Sequence, residues 1–156
     1  MTIRRRAAAI GAVTLGLFAL AACEKPSPIT TVTAGSDSIS FEASCYNEGE
    51  ALGNNEQKKC QNAGSAKTIE VSPETEVRFG VDPKIAEQGW IIAINNQPAI
   101  NKPIEKTYTY FTGQSFFQAA AQGGQGAKTA TVSIIAQGEK PGTTSGVWNF
   151  KLKQTD

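Results

Sequence analysis

From Ile29 onward the chain alternates apolar and polar residues with a period of two. Successive side chains of a β-strand point to opposite faces of its sheet, so this period marks strands with one buried face. Glu76 to Val81 places Val77, Phe79 and Val81 on one side and Glu76 and Arg78 on the other. Ser38–Ala43 repeats the pattern with Ile39 and Phe41, and Thr68–Val71 with Ile69 and Val71. Lys128–Gln137 does so with Ala130, Val132, Ile134 and Ala136. Val147–Lys153 turns Trp148, Phe150 and Leu152 inward and Asn149, Lys151 and Lys153 outward. Ile29–Ala34 is β-branched, Trp90–Ile94 is a near-continuous apolar run suited to a central strand, and Glu105–Phe111 alternates again. Asp82 and Pro83 suit the cap and first position of one helical turn that ends at Gly89. Gly113–Gln122 fits either a helical turn or a strand. Seven to eight strands without a long helix predict an all-β fold, an immunoglobulin-like antiparallel β-sandwich over residues 30–156, with a small barrel as the other closed solution.

The N-terminus has a different character. Arg4, Arg5 and Arg6 precede a 14-residue run of apolar and small residues, Ala7 to Leu20. A transmembrane helix needs about 20 such residues, whereas the core of a signal peptide needs fewer. Leu20-Ala21-Ala22-Cys23 resembles the lipobox of bacterial lipoproteins. The resemblance implies that residues 1–22 are removed and that Cys23 becomes a mature N-terminus carrying a thioether-linked diacylglycerol. The chain would then sit on the extracytoplasmic face of the cell membrane, with the lipid bilayer as its first partner. An ordinary secretory signal is the alternative, and the arginine run also suits twin-arginine export. Residues 23–29, with Pro26 and Pro28, read as a tether whose extended geometry spans roughly 15–20 Å.

Removal of residues 1–22 takes three of the fifteen Lys and Arg residues and none of the fourteen acids, so the mature net charge falls near −2. Arg78 is then the one remaining arginine, and no basic stripe exists for nucleic acid. Histidine is absent, which excludes a Ser-His-Asp triad and any His-bearing zinc or blue-copper site. No cofactor is expected. With Cys23 lipidated, Cys45 and Cys60 remain as an even pair in an exported domain, where a disulfide is the usual outcome. It would close the polar stretch Tyr46–Lys59, contribute about 3 kcal/mol through chain entropy, and staple an insertion between two strands. A redox or metal pair would want a C-x-x-C spacing or a third ligand.

Trp90 and Trp148 read as core residues. Tyr46, Tyr108 and Tyr110 read similarly, with Tyr46 the most exposed of the three. Glu48/Glu50 and Glu74/Glu76 are spaced as solvated surface pairs rather than as glycosidase acids, and Asp37 is a turn residue. Recognition is expected from the loops Tyr46–Lys59, Asn95–Pro103, Gly123–Gly126 and Glu139–Gly146.

Several segments together resemble a family of small actinobacterial lipoproteins grouped only as a domain of unknown function. They are the lipobox at Cys23, the cysteine pair Cys45 and Cys60, a strand start Ser72 to Val77, the segment Val81 to Ile92, and the late strand Val147 to Leu152. The resemblance covers most of the mature chain and implies a membrane-anchored immunoglobulin-like domain without an assigned activity. This chain is richer in Lys and Asn than that pattern. Gly123-Gly124-Gln125-Gly126 also resembles the glycine element of chagasin-type protease inhibitors, whose Asn-Pro-Thr-Thr-Gly and Arg-Pro-Trp elements are missing here. The expected function is a non-enzymatic binding or scaffold module whose partner is an envelope protein or glycan. An envelope-acting enzyme or displayed protease inhibitor is the alternative. Cys23→Ser is expected to abolish labelling by a clickable palmitate, and labelling that persists in the variant would overturn the anchor.

Overall fold

The computed structural model describes residues 26–64, 67–122 and 126–155. Cys23 and most of the glycine loop at 123–126 lie outside the described residues. The chain runs β1 (Thr30–Ala34), β2 (Asp37–Phe41), β3 (Cys45–Tyr46), α1 (Asn54–Gln61), β4 (Thr68–Val71) and β5 (Glu76–Val81). It continues through α2 (Pro83–Gln88), β6 (Trp90–Ile94), β7 (Gln97–Pro98), β8 (Tyr108–Thr112), α3 (Gly113–Ala121), β9 (Thr129–Gln137) and β10 (Thr144–Gln154).

The strands form two sheets, and the all-β sandwich expected from the alternation is the arrangement adopted. One sheet has the order β2-β1-β5-β8 and is antiparallel throughout. The other has the order β3-β10-β9-β6-β7, with β4 beside the C-terminal half of β10. The β4 and β10 strands are parallel, with Ile69 opposite Leu152, so the sandwich is not wholly antiparallel. Ten strands form rather than seven or eight, because β3 and β7 are two-residue strands too short to show a period.

The two sheets meet through the residues that the alternation turned inward. Phe79 of β5 stands at the centre, with ring centroids 6.0 Å from Phe150 of β10, 5.6 Å from Phe116 of α3 and 6.3 Å from Phe111 of β8. Phe41 lies 5.4 Å from Phe150. Both tryptophans are fully buried, and each indole N–H has a partner. Trp90 Nε1 donates to the Lys106 carbonyl at 2.8 Å and Trp148 Nε1 to the Pro28 carbonyl at 2.9 Å. An indole buried without such an acceptor would bear the desolvation cost of its N–H.

The helices are short and each has a local cause. Asp82 accepts from the Lys84 amide at 3.0 Å, and Pro83 opens α2 as the sequence suggests. The ambiguous segment after Gly113 is helical, because Phe116, Phe117 and Ala120 fall on one helical face against the core. Gly113 permits this: a Cβ there would lie 2.6 Å from the Ser72 carbonyl oxygen. The helix α1 was not legible from periodicity. Its sequence is polar and Cys60 is its one buried residue, yet Glu56 in the first turn and Lys58 and Lys59 in the last complement the helix dipole.

The outer face of β10 corrects two expectations. Asn149 is buried rather than outward, because α1 covers it. Its amide donates to the Cys60 carbonyl at 2.6 Å and to Ser44 Oγ at 3.1 Å, and its side-chain oxygen accepts from Ser133 Oγ at 2.7 Å. The insertion is also more than a polar loop. Leu52 and Cys60 pack on Val147 as a second small core, and the Cys45–Cys60 disulfide ties that cap to β3.

Two substitutions test this arrangement. Asn149→Ala removes the short bond to the Cys60 carbonyl, which keeps only the 3.3 Å bond from the Ala63 amide, and takes the acceptor from the Ser133 hydroxyl beneath α1; it is expected to cost about 2 kcal/mol, read as a lower denaturant midpoint. Thr30 Oγ1 is buried without a hydrogen-bond partner. Thr30→Val keeps the shape, removes the orphaned hydroxyl, and is expected to stabilise by about 1 kcal/mol in the same assay.

Candidate functional site

Pro26 to Ile29, the described part of the expected tether, lies docked on the domain rather than standing free. Ser27 Oγ accepts from the Ala43 amide at 2.9 Å, and the Pro28 carbonyl takes the Trp148 indole proton. The bulge between Thr144 and Gly146 in β10 makes the room. A Cβ on Gly146 would sit 2.6 Å from the Trp148 ring and 2.9 Å from that of Tyr46. Tyr46 therefore packs on Trp148, at a centroid distance of 5.9 Å. It is half-buried, so the expectation that it would be the most exposed tyrosine is reversed.

The same end of the domain gathers some of the candidate carboxylates. A groove of about 480 Å³ is lined by Pro26, Pro28, Tyr46, Glu48, Asp82 and Lys84. The Tyr46 phenol is pushed above its ordinary pKa, first by burial and then by the negative charges of Glu48 and Asp82. It stays a protonated donor at neutral pH and cannot serve as a base there. Glu74 is not in this groove; it lies in the turn between β4 and β5. Glu76 points from β5 and is bonded by Arg78. Asp37 opens β2. A narrower crevice of about 150 Å³ between α3 and β6 is almost wholly apolar, with Ser115 its single polar side chain. It offers no acid or base.

The feature that periodicity placed but did not value is on the opposite side of the first sheet from the core. Tyr108 and Tyr110 are 48% and 58% exposed, where a core position was expected. They stand two residues apart on β8, an edge strand, and their ring centroids are 6.3 Å apart at an angle of 41°. The register extends this face across the sheet. Gly80 lies opposite Tyr108, with Thr31 and then Ser40 beyond it. Arg78 lies opposite Tyr110, with Thr33 and then Ser38 beyond it. The hydroxyls pair across strands, Thr31 with Ser40 at 2.8 Å and Thr33 with Ser38 at 3.0 Å. Arg78 Nε donates to Glu76 Oε1 at 2.6 Å, and this bond and charge hold the guanidinium above its ordinary pKa. Neither tyrosine hydroxyl has a hydrogen-bond partner among the described residues.

Sequence reasoning looked for recognition in loops and passed over this face. The signal was present, because the alternation of Glu105–Phe111 sets Lys106, Tyr108 and Tyr110 on the side opposite Phe111. What it lacked was strand order, since an aromatic at the same position of a doubly covered strand would be core. Comparison with known proteins brings nothing to set beside this geometry: no family model, no curated protein and no solved structure matches the chain.

Proposed function

We propose that this protein is an extracytoplasmic lipoprotein, held at the cell membrane by acylated Cys23, whose sandwich is a non-enzymatic binding module for an envelope component. The observation that carries the binding reading is the exposed pair Tyr108 and Tyr110 beside Arg78. Tyrosine and arginine supply much of the energy of recognition surfaces, because a large rigid ring loses little conformational entropy when it is covered. Two such rings side by side on a regular sheet lie outside the core cluster that packs the described domain. The Cys45–Cys60 disulfide is in keeping with an oxidising, exported setting. The lipobox and the suggested kinship with the small actinobacterial lipoproteins agree with the same address.

The competing enzyme reading would run on Glu48, which shares one groove with Glu42 and another with Asp82, both beside Tyr46. Neither groove supplies a histidine or an activated nucleophile. The inhibitor reading rests on the glycine loop at 123–126, most of which lies outside the described residues.

The test is retention by isolated cell envelopes. The lipid-free domain from residue 26 onward is expected to co-sediment with envelopes of the producing bacterium. The double variant Tyr108→Ala/Tyr110→Ala is expected to keep its melting temperature and lose at least about tenfold in affinity, as two such anchors imply. Equal retention of variant and wild type would remove the face from consideration.

A further inference from the structure

We infer that the ligand of the Tyr108–Tyr110 face is a glycan, an uncharged polyhydroxylic chain whose sugar rings lie against the two tyrosines; this deepens the binding reading above and rests on it. A pyranose presents C–H groups on its flat faces and hydroxyls around its rim. A complementary surface needs aromatic faces, whose negative quadrupole attracts C–H groups, with hydrogen-bonding groups at their side. The sheet supplies both. Tyr108 and Tyr110 provide two neighbouring rings, and Thr31, Thr33, Ser38 and Ser40 provide a field of hydroxyls in the same two rows.

Gly80 provides the floor. It faces the same side as Tyr108, directly opposite it, and a Cβ at Gly80 would meet nothing closer than the Thr31 carbonyl oxygen at 3.9 Å. The protein could hold a side chain there, so the bare backbone leaves an open step beside the Tyr108 ring. Arg78 spends its Nε–H on Glu76. A guanidinium has five N–H donors, so its terminal groups remain available to sugar hydroxyls beside Tyr110.

Charge and size separate a glycan from other ligands. Within these rows the one cation, Arg78, is matched by Glu76, so the rows hold no cluster of positive charge for a polyanion; Lys67, which donates to the Ser40 carbonyl, is a single cation at their margin. Four strands about 4.8 Å apart and five residues of about 3.4 Å each give a face of roughly 300 Å² in projection. A standard protein–protein interface takes about 800 Å² per partner and centres on an apolar core. Outside the two rings the rows carry no apolar side chain, so the face lacks the apolar centre of a protein interface of that kind. It suits a few sugar units.

The experiment divides the envelope preparation in two. One portion is digested with proteinase K; the other is treated with trifluoromethanesulfonic acid, which cleaves glycosidic bonds and spares peptide bonds. Retention of the domain is expected to survive the protease and to vanish after the acid. Soluble neutral oligosaccharides released from the protease-treated portion are then titrated into the domain and followed by NMR. Shifts are expected at the ring signals of Tyr108 and Tyr110. Tyr108→Phe is expected to bind within about threefold of wild type, because the stacking ring remains, whereas Tyr108→Ala and Gly80→Val each lose at least about tenfold. Retention lost to protease and kept after acid, while still dependent on the tyrosines, would overturn the glycan and leave the face standing. Retention indifferent to both tyrosines would overturn the face and the glycan together.

Discussion

Strand β10 has to satisfy two buried faces at once, and the rest of the molecule is arranged around that demand. On one side Trp148, Phe150 and Leu152 fill the space between the sheets. On the other, Val147 and Asn149 lie under the α1 cap. A strand buried on both sides normally reads as a continuous apolar run. Here the second side is mostly polar, so each buried polar group must find a bond. Asn149 does this with Ser133, Ser44 and the Cys60 carbonyl, and the disulfide holds the capping helix in the place those bonds require. Neither the network nor the crosslink would position α1 alone, because α1 brings almost no apolar surface of its own.

The same strand organises the N-terminal junction. The bulge at Gly146 opens the space that Tyr46 and the Trp148 ring occupy, and the Trp148 indole then fixes Pro28. If Cys23 carries lipid as proposed, the free part of the tether is shorter than the sequence suggests, since it is already bound at Ser27. The sandwich would then stand closer to the bilayer than a wholly extended tether from residue 23 to 29 would place it. That places a geometric value on the docked strap that a loose stalk would not have.

The strands were legible because half-burial leaves a period of two that no other element leaves. Val77, Phe79 and Val81, and likewise Trp148, Phe150 and Leu152, were assigned to the core by that rule and lie in it. The rule fails where burial comes from a third layer. It could not reveal that α1 would cover Asn149, nor that a polar octapeptide would be helical at all. Tyr108 and Tyr110 have the same spacing as core aromatics, but they stand on the outer face of their sheet, which no described layer covers as α1 covers the outer face of β10, whereas Phe111 of the same strand packs on the core. Tyr46 was misjudged for the converse reason, because a residue beside a polar loop was drawn onto Trp148 by a bulge.

By itself the sequence determined which residues alternate and which chemistries are unavailable to a chain without histidine. These follow from local spacing and from residue inventory. Tertiary structure alone decided strand order, the parallel docking of β4, the burial of Asn149 and the exposure of the two tyrosines. Each of those depends on which distant segment arrives to cover a face. Period-two patterning states that a face will be covered or bare, and only long-range packing settles which.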